Sequence, residues 1–347
     1  MSISTEKWNS VRVSMRELAP IIENATGEVV INRPGEVLLE TPSGWETRAV
    51  PSLSYDRLFS IANTIATASK QKISQEHPII STSLDTGERV QVVIPPVVPE
   101  GTVSMVFRKP SLIDIPFEAY CNGPFFKNAR RSGGLMAEQL DSPQLLPHER
   151  ELATLFLSGD LGEFFRQAVH SRQNIVVSGP TGSGKTTFMK SLANLIPSEE
   201  RLVTIEDAQE LRLPNHANKV HLYYVRGGQG ISKATAKDLL EATLRMYPSR
   251  VLLAELRGEE AWYYVRNVMS GHPGSITSMH AADELTVFDQ LTLLIKESAA
   301  GATIGRDDLK SMLVAAIDVT LQVEKTPEGR QCVGVYYNPL RKRGIDG

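Results

Sequence analysis

The residues best suited to chemistry lie in the stretch NIVVSGPTGSGKTTFMK, Asn174 to Lys190. Within it, Gly179, Pro180, Thr181, Gly182, Ser183, Gly184, Lys185, Thr186 and Thr187 carry the spacing G-x-x-x-x-G-K-[ST] and its flank. Glycines let backbone N–H groups turn inward around phosphate oxygens, and a helix starting there presents its positive dipole end to them. The lysine would neutralise charge on the β- and γ-phosphates of a nucleotide, and the hydroxyl of Thr186 is suited to ligate Mg²⁺. The context fits: the apolar strand Ile175 to Val177 precedes the loop, and Phe188, Leu192, Leu195 and Ile196 give the following helix a buried stripe.

A phosphate cradle does not by itself separate a kinase, a GTPase or a motor, so the ends of the other apolar segments discriminate. Leu202 to Ile205 is a short apolar strand ending at Glu206 and Asp207, in RLVTIEDAQEL. Val251 to Ala254 ends at Glu255 in RVLLAELRG, and Gly274 to Met279 ends at His280 in GHPGSITSMHA. In a parallel sheet the carboxyl ends of the strands share one edge, where ligands bind, so these side chains are expected beside Lys185. Glu255 stands where P-loop proteins place the acid that holds Mg²⁺, usually through water, and that activates the attacking water, so Thr186 and Glu255 are the expected metal ligands. Glu206 is a second carboxylate able to polarise water, with Asp207 beside it, although acidic strand ends also cap helices. His280 is read as a donor to a γ-phosphate oxygen, against the plainer reading of a surface histidine. The seven histidines and two distant cysteines, Cys121 and Cys332, show no zinc spacing, and no structural metal is expected.

These residues need a sheet to gather them. A length of 347 residues suits two domains, and a hydrophobic content of 41% is that of a globular protein. EVVIN and EVLLE flank Asn32-Arg33-Pro34-Gly35, a hairpin turn, and Leu58, Ile61, Ala62, Ile65 and Ala68 recur at helical spacing between Tyr55 and Lys70. RVQVVIPPVV and TVSMVF follow as strands, with Asp85-Thr86-Gly87 as a turn, which gives an α+β domain over 1–111. Residues 112–147, interrupted by proline, glycine and basic residues, read as a connection. Over 148–347 helices alternate with apolar strands, the pattern of a parallel sheet covered on both faces.

The formal net charge of −3 gives no electrostatic ground for general nucleic-acid binding, and direct binding is not expected. The polar N-terminus MSISTEKWNS lacks an apolar signal core and cysteines are sparse, so a reducing, cytoplasmic compartment is expected. No apolar run approaches the ~18 residues needed to cross a bilayer, so membrane association would be peripheral. Lys7, Arg12 and Arg16 could meet anionic lipid, but three charges over ten residues read more simply as a solvated helix face.

Together these segments resemble the secretion ATPases of the type II and type IV superfamily, most closely the traffic ATPase of type IV secretion and conjugation systems. The resemblance is carried by GPTGSGKTT, by TIEDAQEL (similar to that family's Asp box), by LRMYPSRVLLAELRG (its Walker B) and by GHPGSITSMHA (its His box). INRPGEV, GERVQVVIPP and VSMVFRKPS extend it into the first domain. It implies an α/β, RecA-like P-loop NTPase domain at the C-terminal end and a smaller, PAS-like α+β domain at the N-terminal end. It also implies ATP and Mg²⁺ as cofactors, and a homohexamer of two stacked rings peripheral to the cytoplasmic face of the bacterial inner membrane. The implied partners are inner-membrane secretion-channel components and coupling or assembly ATPases. In that family the nucleotide lies between the two domains, so Arg108 in FRKPS would reach the phosphates, with Arg130 or Arg131 as a second arginine. Many members of the broader superfamily carry a tetracysteine zinc module, which this chain lacks, and that favours the type IV branch. RMYPSR replaces a commoner Arg-Pro-Asp-Arg, leaving Arg245 and Arg250 as candidates for contacts across a subunit boundary.

The implied activity is hydrolysis of ATP to ADP and phosphate, powering pilus biogenesis or substrate transfer. Lys185, Thr186 and the arginines would hold the domains closed on ATP, and hydrolysis assisted by Glu255 and Glu206 would let them separate. An ATP-gated docking platform without obligatory turnover shares every one of these residues, as does a pilus extension or retraction ATPase. A P-loop kinase fits less well, because no second substrate site or lid is evident.

Overall fold

A computed structural model of the chain describes residues 3–25, 27–41, 43–109, 114–224 and 233–344, with side chains from Trp8 onward. The side chain of Lys7 and the expected boundary between Ser111 and Leu112 lie outside the described residues. The chain divides into two compact units, the first made of Met1–Ser111 with Asp207–Gln209 and Tyr224–Thr235, the second of the remainder.

In the first unit the alternation of apolar and polar residues produces six short antiparallel strands. They are β1 (Val29–Ile31), β2 (Glu36–Thr41), β3 (Gly44–Ala49), β4 (Ile79–Ser83), β5 (Arg89–Val93) and β6 (Ser104–Arg108), in the order β3-β2-β1-β6-β5-β4. Gly35, at φ +85°, closes the turn between β1 and β2, in the left-handed region where a Cβ would be strained. The helix Tyr55–Ala68 begins where the Ser54 hydroxyl accepts from the Arg57 N–H, and it buries Leu58, Ile61, Ala62 and Ile65. Those side chains share a core with Val29, Ile31, Val90, Val92, Met105 and Phe107 from the sheet and with Trp8 and Val11 from the helix Ile3–Ser14. This is the PAS-like α+β arrangement. Arg12 pairs with Asp85, and Arg16 lies 3.8 Å from Glu17, so both charges near the N-terminus face carboxylates.

The second unit is an α/β domain built on eight strands: β7 (Arg130–Ser132), β8 (Ile175–Ser178), β9 (Leu202–Glu206), β10 (Lys219–Tyr223), β11 (Arg250–Leu256), β12 (Ile276–Met279), β13 (Val319–Thr326) and β14 (Gly329–Tyr337). Their order is β10-β9-β11-β12-β8-β13-β14-β7. From β10 through β13 every neighbour is parallel, β14 returns antiparallel to β13, and β7 lies parallel to β14. Strands β8, β9 and β12 are buried along their whole length, because helices cover both faces of the sheet.

Residues 114–146 are not the bare connection that the sequence suggests. Phe117, Tyr120 and Phe125 pack with Phe165 and Phe188 in the core of the second unit, and β7 joins its sheet. Proline and glycine broke the periodicity there, while the aromatic residues between them supplied the burial. The β13–β14 hairpin, absent from the sequence reading, forms the flank of the sheet beyond β8.

Candidate active site

The phosphate loop leaves β8 at Ser178 and enters the helix Lys185–Ala193 through Gly184, whose φ of +97° is left-handed. Gly179 is required by space as well: a Cβ there would come within 2.1 Å of the Val323 carbonyl oxygen on β13. The helix is anchored by Phe188, Met189 and Leu192, all fully buried. Lys185 is 7% exposed, and its Nζ donates to the carbonyls of Gly179 at 2.7 Å and Pro180 at 2.9 Å. The Ser183 hydroxyl is buried within the loop and has no hydrogen-bond partner among the described residues. A glycine cradle that excludes a side chain, a lysine turned into it and an orphaned hydroxyl together fit a phosphate group.

The neighbouring strand ends converge on that lysine. His280 directly follows β12, and its Nδ1 lies 3.4 Å from Lys185 Nζ. An ammonium only donates, so the contact with Lys185 assigns Nδ1 as the acceptor and the ring proton to Nε2, which is 3.0 Å from Glu255 Oε1, an ion-pair distance without hydrogen-bond geometry. Burial, and then the charge of Lys185, lower the His280 pKa, consistent with a neutral ring. Glu255 reaches His280 through an irregularity in β11: Leu253 pairs with Thr277 and Leu256 with Met279, so β11 carries one extra residue between them. Such a bulge turns a side chain out of the strict alternation of the strand.

The second oxygen of Glu255 is held by Arg257, two residues on, and Glu260 accepts the N–H groups of Arg257 at 2.7 Å and Gly258 at 3.1 Å, fixing that turn. Burial pushes the Glu255 carboxyl up, but the hydrogen bond and charge of Arg257, with His280 and Lys185 behind, hold it below its ordinary value. Glu255 is thus an ionised acid held by the Arg257 guanidinium. Arg257 and Glu260 were missed, although both stand within five residues of the acid.

Glu206 is placed differently. It is fully buried at the end of β9, accepts from Thr204 at 2.6 Å and from the backbone N–H groups of Glu210 and Leu211 at 2.8 Å each, and lies 3.0 Å from His221 Nδ1. Its Oε2 is spent on shaping the chain that follows β9, and its Oε1 on Thr204 and His221. Asp207, next along, pairs with Arg89 at 2.9 Å.

The arginines divide in the same way. Arg108 at the end of β6 bonds Glu28 at 2.7 Å. Arg130 grips the fully buried Glu284 through two oxygens at 2.9 and 3.0 Å, while Arg131 reaches toward Gly159. Arg250 cannot contact another subunit as the sequence reading allowed: it is 0% exposed, bonded to Glu200 at 2.7 and 2.9 Å and to the Val169 carbonyl. Arg245 is exposed. Arg330 on β14 was not foreseen; its Nε donates to the Gly182 carbonyl at 3.3 Å, and its stem lies against Gly184.

A parallel sheet that gathers a glycine-rich phosphate loop, an acid and a histidine at one edge defines a RecA-like P-loop nucleotide-binding protein. Comparison with known proteins makes this narrower. A family model described as Type II/IV secretion system protein matches residues 150–323. The type IV secretion system protein VirB11 of Bartonella quintana is 42% identical over 344 residues, covering 97% of this chain and 96% of that protein. The crystal structure of the VirB11 ATPase from the Brucella suis type IV secretion system, in complex with sulphate, shares 40% identity over 98% of both chains, with a TM-score of 0.55. The pilus retraction motor PilT with bound ADP, at 17% identity and a TM-score of 0.55, shares the fold. The chain belongs to the VirB11 family of type IV secretion system proteins.

Proposed function

We propose that the protein hydrolyses ATP to ADP and phosphate within a type IV secretion system, and that the site on the second unit does the work. The observation that carries this reading is the gathering of His280 and Glu255 at the lysine of the phosphate loop, with Lys185 3.4 Å from His280 and His280 3.0 Å from Glu255. Lys185 exchanges the Gly179 and Pro180 carbonyls for phosphate oxygens, and the N–H groups of the loop with the Ser183 hydroxyl complete the cradle. Glu255 orients the attacking water and accepts its proton, while His280 Nε2–H turns to donate to a γ-phosphate oxygen. Mg²⁺, when bound, neutralises charge on the β- and γ-phosphates; Thr186 and, through water, Glu255 are the residues to hold it. Glu206 supports this edge from behind by fixing the chain after β9.

The finer assignments rest on the family resemblance. In this reading the protein is a homohexamer, peripheral to the cytoplasmic face of the inner membrane, that drives pilus assembly or substrate transfer. On that resemblance Arg108, with Arg130 or Arg131, lends charge to the triphosphate. Among the described residues no helix is long and apolar enough to cross a membrane. Steady-state phosphate release tests the chemistry. Lys185→Ala is expected to lower turnover by about 10²- to 10³-fold, as loss of a transition-state donor does. Normal turnover in that variant overturns the reading. The mass of the particle with and without ATP and Mg²⁺ tests the ring: a hexamer is expected, and a monomer under every condition removes it.

A further inference from the structure

Gln322 lies in the middle of β13, flanked by Leu321 and Val323, and is 1% exposed. Its carbonyl oxygen accepts the Ser178 hydroxyl at 2.7 Å, at the last residue before the phosphate loop. On the other side its amide Nε2 donates to the carbonyls of Ala282 at 3.1 Å and Ala281 at 3.3 Å, the two residues that follow His280. One buried amide therefore touches both the strand that launches the phosphate loop and the turn that carries the histidine. Burial of a primary amide costs free energy unless its donors and acceptor are all used, and here they are.

We propose that Gln322 is a positioning residue for the ATPase reaction, setting His280 against Lys185 by tying the 280–282 turn to the start of the phosphate loop. This rests on the hydrolytic reading of His280 given above. The geometry explains why this amide rather than another link does so. Thr320, two residues earlier on the same face of β13, bonds the Glu284 carbonyl, and Glu284 is gripped by Arg130 and Ser132, so the far end of the turn is fixed independently. Only the near end, at Ala281 and Ala282, depends on Gln322 among the described contacts. Removing the amide frees the peptide next to His280 while leaving the loop itself intact, since the single Ser178 hydroxyl proton, within reach of both acceptors, then goes to the Leu321 carbonyl at 2.8 Å. A misplacement of about 1 Å at a reacting group costs on the order of 10²-fold in rate.

The test is a double-mutant cycle on the full-length protein. Gln322→Met keeps the volume and removes the amide; it is expected to lower kcat by about 10- to 100-fold while KM for ATP and the Kd of a non-hydrolysable ATP analogue stay within about threefold. In a His280→Ala background the same substitution is expected to cost less than about twofold, because the side chain it positions is gone. An unchanged kcat overturns the proposal. So does an equal loss in both backgrounds, or a matching loss of nucleotide affinity. Should Gln322→Met not fold, Gln322→Asn, which draws the amide back by one carbon, carries the same expectations. His280→Ala with wild-type turnover removes the hydrolytic role of the histidine instead, a result read from a different corner of the cycle.

Discussion

Glu206 and Glu255 end neighbouring parallel strands after equally apolar runs, yet the fold gives them opposite surroundings. Glu255, brought out by the extra residue in β11, meets His280, Arg257 and the field of Lys185. Glu206, in unbroken register with β10, turns into the protein and is used up by two backbone N–H groups, Thr204 and His221. An acid at a strand end is thus a position and not yet a role. The role follows from whether its oxygens are left for the ligand edge or committed to the chain behind it.

The comparison breaks most visibly at Glu255. Glu255→Gln is expected to lower kcat by about 10²- to 10⁴-fold, the range of a lost general base, with nucleotide Kd and thermal midpoint nearly unchanged. A third carboxylate, Glu200, calibrates the structural extreme. Its removal in Glu200→Gln leaves the fully buried Arg250 without its partner and is expected to cost about 3–5 kcal/mol of stability, read from the unfolding midpoint. Burial raises the Glu200 carboxyl, but hydrogen bonding and charge from Arg250, then Arg172, bring it below the ordinary 4.5. A folded-state pKa below the unfolded one means that this stability is present above pH 4.5 and is lost as pH falls through the lowered value. The acid limb of the wild-type stability curve is therefore expected to flatten in Glu200→Gln.

Glu206→Gln falls between. It offers an amide where two N–H groups need acceptors, and is expected to cost about 1–3 kcal/mol in stability with a smaller loss of kcat than Glu255→Gln. Equal losses of turnover in the two variants would erase the distinction drawn here. The smallest effect is expected at His221, where His221→Phe keeps the ring stacked on Tyr223 and removes one contact to Glu206, about 0.5–1.5 kcal/mol in the unfolding midpoint.

The strand-loop-helix around Lys185, the acid near the end of β11 and the histidine after β12 were legible because each is a local pattern: apolar run, then a polar residue of a particular type. The helix Tyr55–Ala68 was legible for the same reason, through its 3.6-residue period. Residues 114–146 were not, since their aromatic residues are buried by partners such as Phe165 and Phe188 that are distant in the chain. Gln322 left a faint signal, a lone amide between Leu321 and Val323, but nothing in the order of residues says which loops it would join.

What the sequence determined alone was a phosphate cradle and the kinds of side chain available at the ends of its strands, because strand, turn and helix propensities act over a few neighbouring residues. What only the tertiary structure decided was the assignment among them: Glu255 toward Lys185, Glu206 inward, Arg250 sealed against Glu200. Those choices depend on register, on one extra residue in β11 and on contacts between strands tens of residues apart, and such contacts exist only once the sheet has closed.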